Sequence, residues 1–507
     1  MLPALRSARE SGHCIHSALW GEQGESWKPE GVLPDFSYAG YHAGEAPIPD
    51  EPARWNLKRD FKARGDGISD DTAAFEAAIT TAAKGVLFIP GGKYLITRSI
   101  AITNTGVVIR GAGAGKTILY FAKSLSDIRG NQPDESGYSQ WSFGPGLIDV
   151  QGNDDVTPGT RLAAVVRVAK RGDHQLELSN PIKVAPGEWI RVAESDPPVG
   201  TPGTGSLIHF LFGDLLMQGG DGLNGTHAVV RFLSRVRSAS GRKIVLERPL
   251  PYDVRAEWNP EIHKFAPGMQ EFGIEHLSIE FPWSPYPGHF KEKGFNALTL
   301  EEVSNCWIRD VEIQNADFGI GLDGTNFCTV DGVRLKTSSR REVGGESKGA
   351  NGHHGITVGH GTENLITNFD VQTTFVHDIA VEWFGLHTVY SKGRGVDLNM
   401  DHHREANHSS LFSDLDCGLG TRPFESGGSH DLGPHAGAYT TYWNIRANSA
   451  MTYPKPDFGA LLNFVGFFGA SAPLPSGNRW NVERIDPVDI CPRDLSSAML
   501  ERRLAKR

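Results

Sequence analysis

Cysteine is scarce. The five residues Cys14, Cys306, Cys328, Cys417 and Cys491 are odd in number and contain no C-x-x-C pair, so neither a zinc site nor a dense disulfide framework is expected. Long hydrophobic runs are missing too. No stretch approaches the roughly 18 apolar residues of a membrane helix, and the N-terminus, MLPALRSARESGHCIHSALW, carries no apolar core of a signal peptide. Positive charge is in deficit: 50 Lys and Arg against 60 Asp and Glu give a formal net charge of −10. That argues against nucleic acid or an anionic membrane as partner. It leaves open a polyanionic substrate held through a metal or a local basic cluster. Phosphate-loop spacing is absent as well. IRGAGAGKTILYF (109–121) contains Gly115-Lys116-Thr117, but a P-loop would need glycine where Arg110 stands, and G-x-G-x-x-G fails at Lys116. No nucleotide cofactor is expected, and the glycines read as a tight turn between short strands at 106–110 and 117–121.

Glycine is abundant, with 60 residues, a composition suited to many turns and short strands. Residues 1–55 read as an extended arm. In 56–150 one helix, at about 70–84, carries an apolar stripe of Phe75, Ala78, Ile79 and Ala82. It is followed by short strands. Residues 151–265 read as a β-rich insertion. From 266 to 490 the chain repeats: NCWIRDVEI (305–313) aligns with FCTVDGVRL (327–335) at an offset of 22, Cys306 on Cys328, Ile308 on Val330, Val311 on Val333 and Ile313 on Leu335. The apolar pattern recurs at Ile366, Phe369, Val371 and at Phe412, Leu415, Cys417. Such a period without helical patterning predicts stacked coils of parallel strand, with the cysteines packed as small hydrophobes. Residues 491–507 predict a docking helix with Leu500 and Leu504 on its buried face.

The run RDFKARGDGISDDTAAFEAAI, then GVLFIPGGKYLI, then IRGAGAGKTI resembles the opening of pectate-lyase-superfamily proteins. The resemblance implies an all-β, right-handed parallel β-helix whose early helix caps the coil. It also implies action on a polysaccharide or oligosaccharide and a secreted or periplasmic location. The fold hosts lyases, hydrolases and tail proteins alike.

A second register aligns GIGLD (319–323), GITVG (355–359), DIAVE (378–382) and DLNMD (397–401). Alternation then points Asp378, Glu382, Asp397 and Asp401 outward on rungs about 4.8 Å apart. Like charges that close need a cation, a proton or basic neighbours. These four acids are the expected metal ligands, and hard oxygens suit Ca²⁺, as in the acid cluster the resemblance implies. Glu382, Asp401, Arg404 and His402 are the expected catalytic residues. Lys392, Arg422, His377, Trp383 and His435 are the expected substrate contacts. The leading expectation is a lyase that cleaves a uronic-acid-containing glycan by β-elimination, with Arg404, Arg422 or Lys392 as base. The alternatives are a glycoside hydrolase with paired carboxylates and a non-catalytic glycan-binding or tail-fibre-like protein. Oligomeric state is not legible.

Overall fold

The computed structural model describes residues 13–82, 84–152, 159–196, 205–218, 228–345, 349–469 and 479–506. The start of the arm and parts of the insertion lie outside them. The chain forms a right-handed parallel β-helix. One vertical ladder shows its growth: Ala53, Val86, Val108, Gly273, Trp307, Thr329, Leu365, Val389, Leu411, Thr441, Asn463 and Asn481 are each the parallel partner of the next. Ile308 lies on Val330 and Ile313 on Leu335, as the repeat requires. Further along, the inward position passes from aliphatic to aromatic. Tyr390, Phe412, Tyr442 and Phe464 stack with ring centroids 5.4, 5.4 and 4.8 Å apart. Each rung alone could not bury this column, and stacking makes it one core.

Cys306, Cys328 and Cys417 are buried free thiols in that core. Cys14 and Cys491 form a disulfide across a sequence separation of 477, a pairing without a sequence signal. The glycines of 109–121 turn the chain between the strands Val107–Gly111 and Thr117–Phe121. The helix Thr72–Thr81 buries Phe75, Ala78 and Ile79 in the core cluster that holds the first rungs.

The arm runs backward along the whole coil. Ile15 pairs with Ile490, Gly40 N donates to Glu363 O, Tyr41 N to Thr329 Oγ1 and His42 N to Asn305 Oδ1, before Ala53 meets Val86. Within 161–264, six antiparallel strands form a separate sheet. Its core takes in Phe384, Leu386, Ala406 and Ala438 from the turns of the coil. The buried pair Arg248 Nη1–Glu363 Oε1, 2.5 Å, ties it down. The last helix, Leu495–Leu504, docks through Leu495 and Met499. This corrects the expected face: Leu504 is 41% exposed, because Asp494 caps the helix by accepting from Ser497 N and so fixes its rotation.

Candidate active site

A second parallel sheet stacks seven strands: Ile100–Ile102, Ile148–Gln151, Asn296–Glu301, Phe318–Asp323, His354–Gly359, His377–Glu382 and Met400–His402. Alternation breaks at two places on it, and both reshape the expected site. The first lies at the strand starts. Phe318 pairs with His354, and His354 with His377. Their rings lie side by side on the outer face, tilted, with centroids 5.0 and 4.8 Å apart. The intervening glycines are squeezed: a Cβ on Gly319 would stand 2.4 Å from Gly355 O, and one on Gly355 2.2 Å from Asp378 O. Pairing stays one to one across this point, and the glycines, without side chains, permit the close backbone approach at which alternation breaks.

The second break lies at 397–399, which are not strand. Ile379 therefore pairs with Met400, and Ala380 with Asp401, two residues later than the sequence alignment. The four acids do not converge. Asp378 accepts from Phe375 N, Asn399 N and Arg422 Nη2 at 2.7, 2.9 and 2.5 Å. Burial pushes it up to about 6 against the pull of Arg422. Asp397 accepts from Thr421 N at 2.9 Å and lies 4.0 Å from Arg422 Nε. Asp401 Oδ2 stands 2.9 Å from Nδ1 of both His377 and His403, and its Oδ1 accepts from Gly427 N at 2.9 Å. Although burial raises it, the two imidazoles hold it well below the usual carboxylate range.

Other expected site residues are also reassigned. His402 points inward, with Nδ1 2.9 Å from Asn407 Oδ1 and Nε2 2.8 Å from Tyr442 OH. Burial lowers it to about 4, so it is a satisfied core histidine. Arg404 Nη2 donates to His435 Nε2 at 3.1 Å, and His435 stacks on Phe458 at 5.2 Å. These two hold the 428–435 loop. Lys392 Nζ donates to Ser497 Oγ at 2.8 Å beside the last helix, away from this sheet. Arg422 clamps Asp378 from outside the groove.

What the sheet does build is a groove of about 390 Å³ at its strand ends. Glu301, Asp323, Gly359 and Glu382 occupy one row on four neighbouring strands, and His403 continues it, its N–H donating to Val381 O at 2.9 Å. Gly359 is the gap in this row. A Cβ there would lie 3.0 Å from Asp323 Oδ1 and 3.6 Å from Glu382 Oε1, so both carboxylates lean toward one point. Beyond the strands the chain turns through left-handed residues, Trp383, Phe384, Glu405 and Ala406, at φ 48°, 59°, 58° and 54°. Such turns cost about 1–3 kcal/mol each, and these ones aim Trp383 and Glu405 into the groove. Phe143, Phe318 and His354 line the opposite side. Among the described residues no lysine or arginine lines it. Burial pushes Glu301, Glu382 and Glu405 each up to about 7, neighbouring acids adding to it. Burial opposes protonation of His403, but Asp401 wins and holds it up to about 9. Asp323 accepts from His360 Nδ1 at 2.7 Å.

Behind His354 lies a histidine cluster of which the sequence reading named only His377, as a substrate contact, because its members come from distant segments. His353 is 4.1 Å from His354 and 5.4 Å from His377, and His289 is 4.6 Å from His353, between ring centroids. Burial, then neighbouring imidazoles, lower His353 and His354 well below the usual histidine range; burial lowers His377 against Asp401. A larger cavity of about 640 Å³ lies between the insertion and the coil, lined by Trp189, Arg235 and Phe265 among others. Among the described residues Glu188 is its one lining acid, without a second carboxylate to pair with it there.

Coil and groove together define a class by architecture: a right-handed parallel β-helix with an open carboxylate groove on one sheet. The family described as "Rhamnogalacturonase A/epimerase, pectate lyase-like" matches residues 55–148. The chain is 34% identical to Mannuronan C5-epimerase AlgE5 of Azotobacter vinelandii over 115 residues, 21% of this chain and 11% of that protein. It is 32% identical to Alginate lyase 7 of the same organism over 115 residues, 21% of this chain and 13% of that protein. These matches span about an eighth or less of the relatives' length. The tailspike protein gp49 from Pseudomonas phage LKA1 superposes with a TM-score of 0.48 at 13% identity, covering 81% of this chain and 70% of that one.

Proposed function

We propose that the protein is a polysaccharide-degrading enzyme that binds its glycan along this groove and cleaves a glycosidic bond by carboxylate acid–base catalysis. One observation carries the reading: Asp323 Oδ1 and Glu382 Oε1 both come within 3.6 Å of a single point above Gly359. Paired carboxyls about 5–9.5 Å apart act across a glycosidic bond, one protonating the leaving oxygen and the other activating water or attacking the sugar. Their environments divide the roles. Glu382, held up to about 7, keeps a proton near neutral pH and is the acid. Asp323, 54% exposed and oriented by His360, is the base or nucleophile. Trp383, 41% exposed, offers a face for a sugar ring. A groove with no lysine or arginine among its described residues suits a neutral or weakly charged glycan. The disulfide fits an oxidising compartment, hence a secreted or periplasmic location.

A second reading is β-elimination on a uronic-acid polymer, favoured by the sequence similarity to an epimerase and an alginate lyase. A calcium requirement goes with that reading. Digestion of a polysaccharide panel tests both. Hydrolysis releases reducing ends without ultraviolet absorbance, and elimination releases an absorbing unsaturated uronate. D323N and E382Q should each lower turnover about 10²–10⁴-fold while leaving the fold intact. Full turnover in both variants would remove the carboxylate mechanism, and loss on chelation with an absorbing product would put the lyase in its place.

A further inference from the structure

We propose that His289, His353 and His377 form a binding site for one divalent transition-metal ion of zinc's class, beside the groove. One ligating atom from each of the three lies within 4.8 Å of the others, close enough to contract onto an ion with metal–nitrogen bonds of about 2.0–2.1 Å. His353 directs Nδ1 to Ser142 O at 3.0 Å. His377 Nδ1 stands 2.9 Å from Asp401 Oδ2 without hydrogen-bond alignment, so both of its ring nitrogens are unpaired. His353 is thereby turned so that its Nε2 faces away from Ser142. Neither Nε2 has a hydrogen-bond partner, although His353 is 0% and His377 3% exposed. Buried polar nitrogens left unpaired are costly, and two of them meeting a third imidazole in one small volume call for a shared occupant.

The surroundings fit a metal better than a packed histidine cluster. A carboxylate beside a ligating imidazole raises its basicity, and Asp401 Oδ2 lies 2.9 Å from His377 Nδ1. Asp401 is in turn fixed by Gly427 N at 2.9 Å. Three imidazoles and no thiolate select zinc, copper, iron or nickel over calcium and magnesium, which take oxygen. Three protein ligands leave a fourth position for water or a substrate oxygen. His354, which lines the groove and stands 4.8 Å from His377 between ring centroids, separates the site from the row of acids. The site does not depend on Asp323 and Glu382 breaking a glycosidic bond, and it is tested without substrate.

The full chain is stripped with a chelator and dialysed against Zn²⁺ or Co²⁺. Elemental analysis should find one ion per chain, and Co²⁺ should develop a visible ligand-field band that excess Ca²⁺ does not displace. H289A changes a loop residue and should melt at the metal-free wild-type temperature, yet lose the band and bind at least about 100-fold more weakly. D401N should weaken binding about 10–100-fold. Uptake well below one ion per chain by the wild type, or wild-type binding by both H289A and H353A, would overturn the site and leave a neutral histidine cluster with water among its nitrogens.

Discussion

Replacing Gly359 with alanine isolates the catalytic geometry from the fold. Gly359 has no left-handed φ, so alanine can take its backbone conformation. The added methyl would meet Asp323 Oδ1 at 3.0 Å, Glu382 Cγ at 3.4 Å and Glu382 Oε1 at 3.6 Å. All three are side-chain atoms that can yield by a few tenths of an ångström. Loss of unfolded-chain entropy favours alanine by about 0.4–1 kcal/mol, which offsets that adjustment, so thermal unfolding should barely change. Activity should not survive. The methyl takes the point toward which both carboxylates lean, and the glycan must lift away from it. A misplacement of about 1 Å costs on the order of 10²-fold, or about 2.7 kcal/mol of barrier. Reducing-end release on a substrate cut by the wild type, together with a melting curve, reads both quantities. A G359A protein that cleaves at the wild-type rate would refute the placement of the scissile bond over this row.

The acids of the groove give a pH signature. Glu301, Glu382 and Glu405 are each held up to about 7 by burial, so the folded chain keeps protons that the unfolded chain sheds above about 4.5. Stability should therefore fall as pH rises from about 4.5 to 7, and E301Q should melt above the wild type at pH 8 but level with it at pH 4, as scanning calorimetry would show. Turnover should fall on an alkaline limb near 7 as Glu382 loses its proton, and a limb unmoved in E382Q would count against its role. Reduction, or C14S with C491S, should cost about 2–4 kcal/mol in a denaturant titration, with no effect of reductant on the double variant. R422A strands the buried Asp378 and should cost about 3–5 kcal/mol by the same titration. An unchanged midpoint with lost turnover would return Arg422 to the role of base.

The coil was legible because its evidence is local and repeated. Ile308 and Val330 recur at an offset of 22 and are partners in the coil, and the same apolar pattern marks Ile366 and Phe412, although the turn between Val330 and its partner Ile366 lengthens that rung. The site was legible only in part. Strand alternation correctly sent Glu382 and Asp323 outward, since Ile379 and Val381 must go inward. It failed at Asp378, because alternation breaks beside Gly355: His354 and His377 take the outer face, and Asp378 turns to Phe375 N, Asn399 N and Arg422. It failed again at Asp397, because 397–399 leave the sheet to serve Asp378 and Thr421. Both are backbone events decided by tertiary hydrogen bonds, which a period of two cannot register. Of the cluster of His289, His353 and His377 the sequence pointed only to His377, since the three come from segments that only the folded coil brings together.

The backward-running arm changes what it means for this coil to have ends. A stack of rungs ordinarily frays, since its terminal turns have one neighbour each and can peel off singly. Here Ile15 and Cys14 sit on the final turn, while Ala53 starts the first. The polypeptide is a closed circuit: it leaves the last rung, runs the length of the column, climbs back turn by turn and is welded to its own beginning. Peeling either terminus requires breaking contacts at the other, so the column should come apart in one step, with a sharp transition and slow exchange of protected amides even in the outermost turns. Severing the weld at Cys14 would turn that single event back into a zipper.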